Sequence, residues 1–189
     1  MTTLCETMTN FTETGIPDLL LFEPKIWGDE RGHFFEAYNK EVFAEAGIDC
    51  EFVQDNQALS SYGVLRVLHY QVGEFVQAKL VRVLLGEVLD VVVDLRKDSP
   101  TYGESYSFLL SATNQRQMFV PRGFAHGYVV LSDTAIFFYK CDNYYSKAHE
   151  GGVLFSDPNL NIDLQIDLGD AILSDKDKVL PRFGKHRPF

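Results

Sequence analysis

The sequence predicts a mainly β protein, an antiparallel β-barrel or jelly roll with a few short helices. From residue 19 to residue 142, short runs rich in Val, Leu, Phe and Tyr alternate with Gly, Pro, Asp and Ser, which is the pattern of strands joined by turns. No internal repeat, low-complexity segment or linker divides the 189 residues, a length typical of one domain. We therefore expect a single domain over 1–189, with looser ends at 1–12 and 184–189, whose strands close to protect their edges.

The elements can be assigned in chain order from the signals at their ends. Asn39 is suited to cap a short helix that runs to Ala46 and stops at Gly47. The stretch LVRVLLGEVLDVVVDL (80–95) predicts two strands that form a hairpin at Gly86. Asp90 interrupts the second strand among valines, where a carboxylate needs a partner. A further helical turn is expected near the C-terminus.

Composition and charge exclude several classes of partner. The net charge of −10 opposes nucleic-acid binding, which depends on neutralising phosphates, although a few clustered cations would still hold a small anion. The apolar runs are far shorter than the roughly twenty residues of a membrane span. The N-terminus lacks the basic and apolar regions of a secretory signal, so a cytoplasmic protein is expected. Cys5, Cys50 and Cys141 form no Cys-x-x-Cys pair and are interpreted as ordinary reduced thiols.

Five residues in the predicted strands suggest proton chemistry at a carbon atom. Arg66 and His69 are three residues apart, a spacing that places side chains on opposite faces of a regular strand, so a shared pocket requires a bulge. Lys79 follows on the next strand, His126 follows a Pro/Gly turn, and Tyr139 lies on a later strand. Near neutral pH a histidine accepts a proton and a tyrosine donates one, while a lysine stabilises an enolate oxygen.

Structural and metal-binding interpretations of these residues are the alternatives. A strand histidine or tyrosine taken alone is more often a structural residue than a catalytic one. A metal site built on His69 and His126 lacks ligands, because Gln71 stands where a chelating pair needs a second histidine. No nucleophile motif, phosphate loop or dinucleotide fingerprint is present, so no cofactor is expected. The other histidines lie in polar or terminal surroundings and are expected to be exposed: His33, His149 and His186.

A series of motifs from residue 16 to residue 183 resembles the dTDP-4-dehydrorhamnose 3,5-epimerase family, whose enzymes have the cupin fold. The order and spacing of the motifs match along nearly the whole chain. They include GDERG (28–32), FVQDN (52–56), LHYQ (68–71), AKLVR (78–82), PRGFAHG (121–127) and LSDKD (173–177). One difference lies next to the predicted base, where Val67 replaces a glycine that is usual in the family.

The resemblance implies a role for each reacting group. His69 would be the general base that removes protons at C3 and C5 of a 4-keto-6-deoxyhexose, and Asp177 would be its carboxylate partner, with nearby Asp175 as the alternative. Tyr139 would be the acid that reprotonates from the opposite face, and Lys79 would stabilise the enolate. The implied reaction converts dTDP-4-dehydro-6-deoxy-D-glucose to dTDP-4-dehydro-L-rhamnose without a cofactor. A 3- or 5-epimerase of another nucleotide-linked 4-keto sugar, a metal-dependent cupin and a carbohydrate-binding barrel are the alternatives.

The resemblance also implies how the nucleotide sugar is bound. Eight residues are expected to contact it: Lys176, with no part of the substrate assigned to it, Arg66 and His126 near the sugar and diphosphate, and Gln54, Asn56, Arg31, Phe34 and Glu36 near the nucleotide. In the family the last three reach into the neighbouring subunit. A homodimer is therefore expected.

Overall fold

The computed structural model describes residues 11–189, so Cys5 and most of the segment 1–12 lie outside the described residues. The strands, in chain order, are β1 (Phe11–Glu13), β2 (Leu20–Phe22), β3 (Trp27–Asp29), β4 (Gly32–Phe34), β5 (Gln54–Ser61), β6 (Leu65–Gln71), β7 (Lys79–Leu85), β8 (Glu87–Asp94), β9 (Ser105–Ser111), β10 (Gln117–Val120), β11 (Phe124–Val130), β12 (Thr134–Cys141) and β13 (Glu150–Gly152). One antiparallel sheet has the order β1-β2-β10-β7-β12-β5, and a second has the order β13-β6-β11-β8-β9. Strands β3 and β4 pair separately as a hairpin.

The two sheets pack face to face around a central core, and each outer face is covered as well. Along β8, Val88 and Val92 belong to the central core, while Leu89 and Val91 pack in an outer core under the segment 153–183. Burial on both faces explains why the sequence of β8 is almost continuously apolar. The paired sheets form a jelly roll and not a closed barrel, which confirms the jelly-roll form of the predicted fold.

The helix α1 (Lys40–Glu45) lies where the sequence predicts it. The Asn39 side chain accepts hydrogen bonds from the backbone N–H groups of Glu41 and Val42, so it caps the helix start. Gly47 has a φ of +86°, the left-handed conformation that ends a helix. Phe43 is buried and closes the outer core over the six-stranded sheet.

The prediction of a hairpin at Gly86 is wrong, although both of its strands are present. Strand β7 pairs with β10 and β12, whereas β8 pairs with β11 and β9, so the two strands belong to different sheets. One residue is too short a loop to close a hairpin, for which two residues are the common minimum. Gly86 has a φ of +75°, and a Cβ there would lie 2.1 Å from the carbonyl oxygen of Thr134, so the chain crosses between sheets where only glycine fits.

The C-terminal part of the chain contains short 3-10 helices and a tail that packs on Tyr70 of β6. Short 3-10 helices occur at Leu168–Asp170 and Asp177–Val179. The Tyr70 hydroxyl donates to the carbonyl of Arg187 at 2.6 Å, and the Phe189 ring packs on Tyr70. His186 is buried, so the expectation that it is exposed is wrong; its ring packs against Tyr70 and Phe183 instead.

Among residues 11–189, no helix has the length and apolar character that crossing a membrane requires.

Candidate active site

A cavity of about 410 Å³ is lined by strands of both sheets, and nine of the twelve predicted site residues line it. They are Gln54, Asn56, Arg66, His69, Lys79, His126, Tyr139, Lys176 and Asp177. Because the cavity draws on β5, β7 and β12 from one sheet and on β6, β11 and β13 from the other, groups far apart in the sequence face one another across it.

The bulge that the spacing of Arg66 and His69 requires is present in β6. The pairing of β6 with β11 shifts by one residue, so that Val67 and Leu68 together lie opposite Gly127. Leu68 has a φ of +35°, which is unusual for a residue with a side chain. Both Arg66 and His69 thus line the cavity, and this prediction is confirmed.

Gly127 allows the bulge to lie close to β11. A Cβ at this position would be 2.4 Å from the carbonyl oxygen of Arg66, 2.7 Å from Cα of Val67 and 2.8 Å from the backbone nitrogen of Leu68. All three atoms belong to the backbone, so none moves away by a side-chain rotation. The Val67 side chain itself is buried in the outer core, so the branched residue found here does not narrow the cavity.

His69 lies between two carboxylates. Its Nε2 atom is 2.7 Å from Oδ1 of Asp177, and its Nδ1 atom is 3.7 Å from Oε1 of Glu150. Burial lowers the pKa of His69, and the nearby Asp177 opposes this effect only in part. Asp175, the alternative partner, is fully exposed and pairs with Lys178, so Asp177 is the aspartate that meets the imidazole. At neutral pH the imidazole is therefore uncharged and able to accept a proton.

Tyr139 and Lys79 lie on the six-stranded sheet, and thus on the facing side of the cavity from His69. Burial raises the pKa of Tyr139 to about 12, so the phenol keeps its proton at neutral pH. The Lys79 ammonium is 5.8 Å from the centre of the Tyr139 ring, and burial lowers its pKa. A phenol that holds its proton and the amino group of a lysine thus lie side by side.

His126 and Asp90 form a buried pair on the five-stranded sheet. The Nε2 atom of His126 is 2.9 Å and 3.0 Å from the two carboxylate oxygens of Asp90. Burial raises the pKa of Asp90, and His126 opposes that effect. The partner that the sequence requires for Asp90 is therefore a histidine that also lines the cavity.

Glu150 is a site residue that the sequence did not reveal. It stands on the three-residue strand β13 beside β6, and its carboxylate pairs with Lys176 and accepts from the hydroxyl of Tyr145. Burial acts to raise the pKa of Glu150, but Lys176, His69 and Tyr145 together outweigh burial and the pKa is lowered. No motif marks this position; only the two glycines that follow it indicate close packing.

Arg31, Phe34 and Glu36 lie outside the cavity of this chain. Arg31 is paired with Asp29 on the β3–β4 hairpin, and the Phe34 ring is 71% exposed. The hairpin also exposes half of Trp27. Two large aromatic side chains left uncovered on one hairpin are typical of a surface that contacts another molecule.

The chain is similar to known proteins along most of its length. The family model described as dTDP-4-dehydrorhamnose 3,5-epimerase matches residues 13–185. A protein of that name from Shigella flexneri is 54% identical over 169 residues, which are 89% of this chain and 92% of the relative. The crystal structure of the enzyme of that name from Elizabethkingia anophelis superposes with a TM-score of 0.89 at 53% identity and covers 92% of this chain and 96% of that one.

A second solved structure contains a sugar nucleotide. It is dTDP-6-deoxy-D-glucose-3,5-epimerase from Legionella pneumophila in complex with dTDP-4-keto-L-rhamnose, with a TM-score of 0.85 at 45% identity, covering 92% of this chain and 98% of that one. The family match spans nearly the whole chain, and the relatives match it over most of their own length. The chain belongs to the dTDP-4-dehydrorhamnose 3,5-epimerase family.

Proposed function

We propose that this chain inverts C3 and C5 of dTDP-4-dehydro-6-deoxy-D-glucose to give dTDP-4-dehydro-L-rhamnose. The observation that carries the proposal is that a neutral, partly buried imidazole and a protonated, partly buried phenol line one cavity from facing sheets. The C4 ketone acidifies both neighbouring C–H bonds, so a base on one face and an acid on the other suffice for inversion. The sugar nucleotide in the Legionella relative supports the choice of substrate.

His69 is the base in this proposal. It removes a proton from carbon, and the electron pair of the C–H bond moves into the enolate, whose negative oxygen Lys79 stabilises. The negative charge of Asp177 at 2.7 Å stabilises the imidazolium that forms. Tyr139 then delivers its phenolic proton to the other face of the same carbon. Each inversion removes one proton from carbon and returns one proton to it, and no hydride is transferred.

The remaining cavity residues are proposed to bind the diphosphate and the nucleotide. Arg66 is exposed at the cavity, and its guanidinium donates to Ser60, which leaves donors for a phosphate. Lys176 is 55% exposed, and with Arg66 it makes the mouth of the cavity attractive to an anion in spite of the acidic chain. Gln54 and Asn56 bond to each other on β5 and present amide groups to a base.

A homodimer is proposed because the predicted nucleotide contacts of the β3–β4 hairpin lie outside this chain's own cavity. Mixing two inactive variants tests this: one with His69→Asn, the other with Phe34→Ala. If the hairpin serves the neighbouring site, random exchange of subunits restores about a quarter of the sites, because half of the dimers are mixed and each contains one intact site. If the mixture stays inactive, the hairpin does not act across subunits.

The cytoplasmic location also stays a prediction.

Deuterium wash-in tests the reaction directly. Incubation of dTDP-4-keto-6-deoxyglucose with the protein in D₂O is expected to label C3 and C5 and to give the L-rhamno product. His69→Asn is expected to abolish labelling at both carbons, and Tyr139→Phe to permit exchange without release of inverted product. Tyr62→Phe, an exposed tyrosine away from the cavity, is the matched control. Labelling at one carbon alone would indicate a single epimerase, and no labelling would refute the proposal.

A further inference from the structure

A role for Glu150 rests on the proposed function, a double inversion. One base that serves both carbons must lose its first proton before it can take the second. His69 removes a proton at one carbon and must remove another at the second carbon of the same sugar. The imidazole has to lose the first proton in between, while the sugar still covers it. The His69 side chain is 27% exposed before substrate binds, and a proton acceptor beside it with its own connection to solvent would take the proton while the sugar covers that exposed part.

Glu150 is placed to accept this proton. Its Oε1 atom is 3.7 Å from Nδ1 of His69, and that nitrogen is buried without a hydrogen-bond partner among the described residues. The other ring nitrogen faces Asp177. The distance exceeds a hydrogen bond, as is common for catalytic contacts before substrate binds, and a shift of the side chain or one water closes it.

The Glu150 carboxylate is also closer to solvent than that of Asp177. The Glu150 side chain is 19% exposed and that of Asp177 is 8% exposed. The Glu150 carboxylate contacts Lys176 and the hydroxyl of Tyr145, and both of these side chains are more than half exposed. A proton on Glu150 therefore has a short route to bulk water, whereas a proton on Asp177 would remain in the interior.

We infer that Glu150 is a proton-relay residue that resets His69 between the two inversions. Nε2 keeps its hydrogen towards Asp177, so the proton from carbon arrives on Nδ1. This Nδ1–H bond of the imidazolium then breaks, its electron pair returns to Nδ1, and an O–H bond forms on the Glu150 carboxylate, which releases the proton to water. Lys176 regulates this step, because it holds the same carboxylate oxygen that faces His69. A substrate diphosphate attracts Lys176 and frees that oxygen. Four ionisable groups surround His69, and they are Asp177, Glu150, Lys176 and Lys79.

The alternative role for Glu150 is purely structural, as an anchor for Lys176. The variants Glu150→Gln and Lys176→Met separate the two roles. A relay predicts that Glu150→Gln keeps the first wash-in near the wild-type rate, slows the second by at least about tenfold, and accumulates the singly inverted sugar. An anchor predicts that Glu150→Gln slows both wash-ins equally by weakening binding, as Lys176→Met does, and that no singly inverted sugar accumulates.

Rescue by a small proton acceptor is the decisive measurement. Added formate or imidazole is expected to restore the second wash-in of Glu150→Gln in proportion to its concentration and to leave Lys176→Met unaffected. Glu150→Asp, which keeps a carboxylate, is expected to show little buffer dependence, and it serves as the test if the glutamine variant does not fold. Equal loss at both carbons without rescue, or an unchanged ratio of the two rates, refutes the relay while the wild-type wash-in stands. Absence of wash-in in the wild type refutes the proposed function itself.

Discussion

A single methyl group at Gly127 is expected to disrupt the site without touching any reacting residue. In Gly127→Ala the new Cβ would lie between 2.4 Å and 2.8 Å from three backbone atoms of the β6 bulge. Overpacking of this kind costs typically 1–3 kcal/mol, and we expect about 3 kcal/mol because backbone has to move. For a domain of this size that is a fall in Tm of roughly 6–12 °C.

The same displacement is expected to lower activity in molecules that remain folded. The bulge sets the position of His69 relative to Asp177 and to the facing sheet, and a misplacement of about 1 Å in a catalytic group costs on the order of 100-fold in rate. Thermal unfolding followed by circular dichroism and wash-in well below the Tm measure the two effects separately. Gly169→Ala is the control, because the nearest atom to its added Cβ is a side-chain oxygen at 3.3 Å. A Gly127→Ala protein with wild-type Tm and rate would refute the close approach of the two strands.

Three further results are expected from the contacts described above. The acid limb of the pH–rate profile is expected below pH 6.5, because burial lowers the pKa of His69 and only the neutral imidazole accepts a proton. Asp177→Asn removes a charge that raises this pKa, so the variant is expected to move the limb lower still. A limb above pH 6.5 in the wild type would contradict this reasoning. Asp90→Ala leaves His126 without its buried partner and is expected to cost about 1–3 kcal/mol in urea unfolding, whereas an unchanged midpoint would show that the pair adds nothing. Tyr70→Phe removes the hydrogen bond to the C-terminal tail and is expected to speed trimming by a carboxypeptidase, followed by mass spectrometry; equal trimming rates would count against a fixed tail.

The parts of the site that local patterns encode could be predicted from the sequence. The period of two along a strand makes a bulge necessary between Arg66 and His69, and a buried carboxylate at Asp90 requires a partner. The connection at Gly86 could not be assigned in this way, because strand pairing decides between a hairpin and a crossing, and the pairing partners lie far along the chain. Asp177 was identified through the family resemblance, since nothing local marks it as the partner of His69.

Glu150 shows what remains beyond the reach of sequence patterns. Its importance comes from the pairing of β13 with β6, which brings a short segment after a long loop alongside the predicted base. A three-residue strand has too few positions to show a periodicity. The exposed hairpin is a second case, because its residues acquire a role only in the proposed dimer.

The segment 153–183 covers the five-stranded sheet and also provides Asp177 and Lys176 to the cavity. During synthesis the ribosome finishes every strand of both sheets before this segment emerges. A nascent chain at that stage already carries its imidazole, phenol and enolate-binding lysine, with Glu150 beside the imidazole, yet it lacks Asp177, the nearer of the two carboxylates. The proposed acid–base site is therefore complete only once the segment 153–183 has packed on sheets whose strands all precede it in the chain.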